Sequence, residues 1–421
     1  MPTRAVAYLA SVAVTMSEGE TSVTAQTDVF ATAGTLTQTV VKPDPRITLG
    51  AGQSQQFVAG RADQYGNKIT DVSIAWTAAE GGVIDGEGLF VAGGEAGVFN
   101  NAVTADVSQG EVTLTTTVDV TVEGDRITYY SIDADGLAVD IFTVDPDGAN
   151  QETITSFRST LERVSWAPSG RRLVFGIFST TGGIFAMDDD GNSLFGITAN
   201  ALPEVDIAPA VSPDGTRIAF IRTNLATGEE DIYVVDFDGG AVTKVTDTPD
   251  GDVFVPAWSP DGEWIIYDFT TTGASGDIWK IRPDGTEPAQ LTLDPASETA
   301  PTYSPDGSTI VYLSAQDGDA ELFLMNDDGT NVRQLTNNND SDSAPAWSPD
   351  SSRIAFVSGR DGDNEIWVMD ANGENVTQVT DNDFADFDPV WAPPKAGVPY
   401  EADALTFTDV ARPRTIARWR R

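Results

Sequence analysis

The sequence predicts an all-β protein, and three observations carry that prediction. A unit of four short elements recurs six times from residue 126 onward. Its third element is an alternating apolar strand closed by Asp-Gly or Asn-Gly, as in Asp231-Ile-Tyr-Val-Val-Asp-Phe-Asp-Gly239 and Glu365-Ile-Trp-Val-Met-Asp-Ala-Asn-Gly373, a strong hairpin signal because these residues tolerate the positive φ of a tight turn. Upstream, residues 41–124 break into short strands with turn signals every ~8–12 residues around one tryptophan, Trp76, the pattern of a β-sandwich.

The repeat divides into elements A to D. Element A is a short aromatic strand ending in Ser-Pro-Asp-Gly or a relative: Trp166-Ala-Pro-Ser-Gly170, Val211-Ser-Pro-Asp-Gly215, Trp258-Ser-Pro-Asp-Gly262, Tyr303-Ser-Pro-Asp-Gly307, Trp347-Ser-Pro-Asp-Ser351 and Trp391-Ala-Pro-Pro-Lys395. These anchors lie 45, 47, 45, 44 and 44 residues apart, a length that suits four strands and their turns. Element B follows at once, for instance Arg217-Ile-Ala-Phe220 and Arg353-Ile-Ala-Phe356. Element C is the alternating strand, and D ends in an apolar residue plus Thr, as in Val245-Thr246 and Val379-Thr380. The first B-C-D set, starting at Arg126, has no A before it, and the last A has no B-C-D after it. A ring resolves both orphans. The C-terminal A strand completes the first sheet and closes a six-bladed β-propeller, an arrangement that leaves no long exposed sheet edge.

The expected organisation is therefore residues 1–40 as a partial sandwich module or a degenerate N-terminal segment, 41–124 as a complete sandwich, 125–395 as the propeller and 396–421 as a basic tail. Residues 5–16 alternate at period 2 like a strand, and also resemble a weak export signal with a poor cleavage site. The tail carries Arg412, Arg414, Arg418, Arg420 and Arg421; it is either drawn to the acidic surface of the chain or reserved for an anionic partner.

Composition narrows the function. The 421 residues hold 24 Lys+Arg against 65 Asp+Glu, a net charge of −41, with no Cys and no His. Thiolate chemistry, disulfides, His-dependent triads and His- or Cys-ligated zinc are closed to this chain acting alone. The charge repels phosphate backbones, so nucleic acid is not an expected partner. The longest uncharged N-terminal run falls short of a membrane span. The Ser-Pro-Asp-Gly serine has no activating base and reads as the A–B turn. Asp-rich turns such as Asp188-Asp-Asp-Gly191 lack the calcium loop pattern and read as hairpin turns whose side chains bond their own backbone.

Residues 126–395 resemble the WD-like repeats of the TolB family of periplasmic propellers, through the Ser-Pro-Asp-Gly run, the Ile-Tyr-Val-Met-Asp-like strand and the Leu-Thr ending. Ser169 and Pro394-Lys395 depart from that pattern. Residues 41–124 resemble bacterial Ig-like domains of the intimin/invasin type, through Gly50-Ala-Gly-Gln53, Gln56-Phe-Val-Ala59, Asp63-Gln-Tyr-Gly-Asn67, Trp76 and Gly88-Leu-Phe-Val-Ala92. The resemblances imply a non-catalytic binding or scaffold protein, periplasmic, cell-surface or secreted, whose propeller docks a protein or envelope polymer and whose Ig-like module is a spacer. The competing expectation is a calcium- or carboxylate-dependent propeller enzyme acting on a sugar or lactone, which needs neither His nor Cys.

One site suggests itself. An acid stands just before each A strand: Glu162, Asp206, Asp252, Glu298, Asp342 and Asp386. If these line a channel mouth, their mutual repulsion is relieved by a cation, calcium given oxygen-only ligands, or by a basic peptide segment. The alternative is that each acid accepts backbone N–H bonds from its own D–A connection. No cofactor other than calcium is implied, and no catalytic residue.

Overall fold

A computed structural model describes residues 8–18, 21–31, 36–43, 46–63, 68–132, 139–157, 160–178, 182–200, 202–249, 251–271 and 273–397. The arginine-rich tail, the first seven residues and most of the Asp63–Asn67 turn lie outside that set. The described residues are all β, without a helix among them, and separate into two compact units, one reaching Glu123 and one spanning Gly124–Lys395.

In the first unit, Tyr8–Glu18 and Thr21–Ala31 form a long hairpin in continuous register from Tyr8↔Ala31 to Glu18↔Thr21. A four-stranded sheet places Arg46–Gly50 parallel to Val112–Glu123, followed by Gly97–Gln109 and Ser73–Ala78. A three-stranded sheet joins Ser54–Gln56, Leu89–Ala92 and Gly82–Ile84. Alternation puts Val103, Ala105 and Val107 inward from one sheet to share a core with Phe90 of the other and with Phe57. Trp76 is only half-buried, 6.3 Å from Phe57 at the margin of this core.

The second unit contains six four-stranded antiparallel sheets in the order A-B-C-D. The A strands are Thr160–Trp166, Glu204–Val211, Gly251–Trp258, Glu298–Tyr303, Asp342–Trp347 and Ala385–Trp391. The last of these pairs with Ile127–Ile132, a B strand, setting Ile127 opposite Trp391 and Ser131 opposite Asp386. Ile127, Tyr129 and Val144 of that sheet share a core with Ala355, Val357 and Ile366 of the sheet before Ala385 in the chain.

The turn chemistry repeats to within tenths of an ångström. In each Ser-Pro-Asp run the serine hydroxyl donates to the aspartate two residues on, at 2.6 Å for Ser212–Asp214 and Ser348–Asp350, and accepts from the backbone N–H of Arg217 and Arg353 at 2.9 Å. Asp214 is held down to about 2 by the Ser212 hydroxyl first, then by the Thr216 N–H and hydroxyl. The C–D turn glycine has a second duty besides its positive φ. A Cβ on Gly148, Gly191, Gly285 or Gly329 would meet the carbonyl oxygen of Val379, Ile154, Val245 or Leu291 at 2.7, 2.4, 2.8 and 2.5 Å. Each such oxygen belongs to the D element of a neighbouring sheet, so a side chain there would push two sheets apart.

Candidate functional site

Every A strand carries a bulge at the same point. The register slips there, and the residue involved takes positive φ although none is glycine: Arg163 (50°), Ala208 (51°), Val255 (49°), Ala300 (50°), Ala344 (47°) and Asp388 (46°). Left-handed backbone at a residue with a Cβ costs ~1–2 kcal/mol, and a bulge frees the next N–H from the ladder. Proline fills that next position in five of the six strands, namely 209, 256, 301, 345 and 389, where the missing N–H is no loss.

The bulge decides which residues face inward. A cavity of about 260 Å³ is lined by the second half of all six A strands, including Pro209, Pro256, Pro345, Pro389, Trp258 and Trp347. The six acids expected at a channel mouth lie before the bulge and are not among the walls of this cavity. Asp206, Glu298, Asp342 and Asp386 are fully buried instead. Asp252 is exposed, and the Glu162 side chain lies outside the described residues, although its backbone pairs with Gly176. The four buried acids of the expected channel-mouth ring are held by side chains of their own sheets.

Three of them find partners on the B strand at the paired position, and Asp342 finds one just beyond its B strand. Asp206 receives a bidentate fork from Arg222, Nε to Oδ1 at 2.7 Å and Nη2 to Oδ2 at 2.9 Å. The Ser314 hydroxyl donates to Glu298 at 3.1 Å, and the Ser131 hydroxyl donates to Asp386. Arg360 donates to Asp342 at 3.0 Å.

A second set of acids, not foreseen from the sequence, opens the C strands. Thr246 donates its hydroxyl to Asp231 at 2.9 Å, and Thr380 to Glu365. The same threonines accept the N–H of Ile232 and Ile366 at 2.8 and 2.9 Å. This explains the Thr that ends each D element. Backbone N–H groups of the D–A connection then cap the C-strand acid: Thr248 on Asp231 at 3.1 Å, Asn382 on Glu365 at 2.7 Å. A signal was available, because an acid precedes that Thr by 15 residues at Asp231, Asp277, Glu321 and Glu365.

The two sets meet between sheets. The Asn338 side-chain amide reaches Asp342 at 3.2 Å and Glu321 at 3.3 Å, and Asn382 reaches Asp386 at 3.0 Å. Burial raises Glu365 to about 7 and raises Glu321 and Asp386 in the same direction, with the facing carboxyl adding to the rise of each glutamate. Glu298 is also pushed up to about 7, by burial and then by nearby Asp294, and its Oε2 has no hydrogen-bond partner. These pairs can hold a proton between them; their bonds are those of a scaffold.

The cavity itself breaks the repeat. Where four A strands place Ala or Val, the other two place Arg163 and Asp388, both on its wall. Burial draws the Arg163 guanidinium below its usual value against the pull of Asp388, Asp268 and Tyr130. Asp268 stands behind the wall at a B-strand position filled by Ile221, Leu313 and Val357 in other sheets. It accepts the Ala300 N–H at 3.3 Å, and burial raises it to about 7.

Comparison with known proteins fits this geometry. The family profile described as the TolB beta propeller domain matches residues 115–298 and 179–343, together more than half of the chain. The chain belongs to the TolB β-propeller family. A TolB homolog of Chlorobium luteolum is 31% identical over 167 residues, covering 38% of this chain and 36% of that protein. One from Chlorobaculum tepidum is 33% identical over 131 residues, 30% of this chain and 29% of the relative. The chain thus spans about a third of the length of the curated relatives it matches. The crystal structure of TolB from Acinetobacter baumannii superposes with a TM-score of 0.57 at 18% identity, covering 76% of this chain and 82% of that one. This likeness is one of fold. No described helix is long and apolar enough to cross a membrane.

Proposed function

We propose that the chain is a non-catalytic docking protein of the bacterial envelope or extracellular space, with a six-bladed propeller displayed by an Ig-like spacer. Membership of the TolB propeller family supports the envelope assignment. Closure of six blades is supported by the pairing of Ala385–Trp391 with Ile127–Ile132 and by the core those sheets share with the sixth sheet. An Ig-like reading of residues 41–124 is supported by the two sheets around one core.

The observation that carries docking is a group of four exposed apolar side chains in the loops at one end of the sheets, against Leu194, Val332 and Val376 at the other. Leu202, Leu293 and Phe384 lie in D–A connections and Leu225 in a B–C connection; they are 53, 83, 46 and 49% exposed. Antiparallel order puts D–A and B–C connections at the same end of each sheet. Exposed Asp247, Asp294, Asp340 and Asp383 stand among them. Apolar residues rimmed by one sign of charge suit a partner segment that is basic and carries apolar side chains.

The test is a pull-down from envelope and secreted fractions with the full chain. Bound proteins are compared between wild type and a variant with Leu202, Leu225, Leu293 and Phe384 all changed to Ser, at low and high salt. A partner that is rich in Lys and Arg, weakened by salt and lost from the variant supports the proposal. Equal capture by both proteins refutes docking at this face.

A further inference from the structure

Arg163 and Asp388 line one cavity, and neither repeats elsewhere in the six A strands. Among the described residues, neither side chain has a hydrogen-bond or ion-pair partner. A cation and an anion thus face the same small space, close enough to feel each other and not bonded to each other. Two buried acids of this unit are met by arginines instead, Asp206 by Arg222 and Asp342 by Arg360. Both side chains are half-buried on the cavity wall, where a bound molecule can meet each of them.

We infer that the cavity is a binding site for a small zwitterion, an α-amino acid with an apolar side chain, its carboxylate on Arg163 and its ammonium on Asp388. Charge selects the class. A simple anion would leave Asp388 unmet, and a simple cation would leave Arg163 unmet; a zwitterion satisfies both and brings no net charge inside. Size selects within the class. At about 260 Å³ the cavity lies below the ~300–1,000 Å³ of drug-sized pockets, which suits one amino acid and not a folded segment. The walls select the side chain, since Pro209, Pro256, Pro345, Trp258 and Trp347 offer apolar surface and ring faces.

The site uses none of the loop residues assigned to docking, so the two readings stand or fall separately. The experiment measures melting and titration calorimetry of the full chain with L-leucine, L-proline and L-phenylalanine, each at about 10 mM, against their N-acetyl and carboxamide forms. A ligand that binds only the folded state raises the melting temperature in proportion to its occupancy. Arg163→Ala and Asp388→Ala are the informative variants, because Ala208, Ala300 and Ala344 already occupy this position in other strands. Asp388→Asn keeps the side-chain shape as a second test. We expect at least one free amino acid to stabilise the wild type, neither capped form to do so, and each variant to bind roughly tenfold more weakly or worse. The inference is overturned if no free amino acid shifts the wild type, if capped forms act equally, or if the shift survives in the variants.

Discussion

The turns of the second unit and the wall of its cavity obey opposite rules. In the turns every copy does the same thing: Ser212 and Ser348 make the same bonds at the same distances, although 136 residues separate them. At the cavity wall the backbone repeats, with φ between 46° and 51° in all six strands, while the side chains do not. Repetition at the turns is what holding adjacent sheets requires. A shared backbone that carries two odd side chains, Arg163 and Asp388, marks the place where the fold has been put to a particular use. The comparison teaches that in a repeat protein the site lies where the scaffold stays constant and chemistry departs from it.

The strongest challenge to this division removes a whole strand. Ending the chain before Ala385 would expose the edge of Ile127–Ile132 and uncover Tyr129, which is fully buried and stacks on Phe142 at 5.6 Å. Loss of cooperative unfolding or aggregation is expected in thermal melts and light scattering; a monomer melting like the full chain would contradict the seam. Next comes Asp206→Ala, which leaves the Arg222 guanidinium, 16% exposed, without its fork. Denaturant titration should show a loss of about 3 kcal/mol, and Asp206→Asn a smaller one. Gly329→Ala should cost about 2 kcal/mol or more through positive φ and the clash with the Leu291 carbonyl. An unchanged midpoint would mean the sheets tolerate separation there.

pH sharpens the contrast. Asp268, Glu298 and Glu365 have folded values near 7, above the ordinary carboxylate range, so folding takes up protons. A raised acid contributes its full stability below the unfolded value, and that contribution falls as pH climbs from ~4.5 to ~7. Asp214 and its counterparts shift the other way and lose stability only as pH falls through ~4 towards 2. Melting temperature should therefore peak near pH 4–5 and decline towards pH 8, and Glu298→Gln should flatten the alkaline side. The smallest effect is expected at the cavity. Arg163→Ala should change unliganded stability by less than about 1 kcal/mol, because the other strands already carry Ala there.

Much of this was legible in the sequence, and the limits have physical causes. The six A elements, their spacing and the Asp-Gly turns follow from strand period and turn chemistry, which act over a few residues. The acids at 206, 298, 342 and 386 were visible as a repeat, but their direction was not. A bulge between acid and proline moves the inward face by one residue, and period-2 reasoning cannot register that slip. The C-strand acids escaped because their partner is a threonine 15 residues away in another strand, a contact made by packing. Arg163 and Asp388 could have been found by aligning the residue three before the last of each A strand, from Trp166 to Trp391. The twin duty of the C–D glycines was hidden, since a turn alone already accounts for them.

The pairing of Ala385–Trp391 with Ile127–Ile132 has a mechanical consequence. The antiparallel register puts Ile127 beside Trp391, so the segment entering this unit and the one leaving it emerge at the same end of one strand pair. A load applied between those two ends peels that pair one hydrogen bond at a time, as a zip opens, in place of shearing all its bonds together. The remaining five sheets carry no tension until this one has parted. Under traction between those ends the unit would give way first at this seam, where Trp391 and the cavity wall at Asp388 both sit, and anything held in the cavity would be released with it.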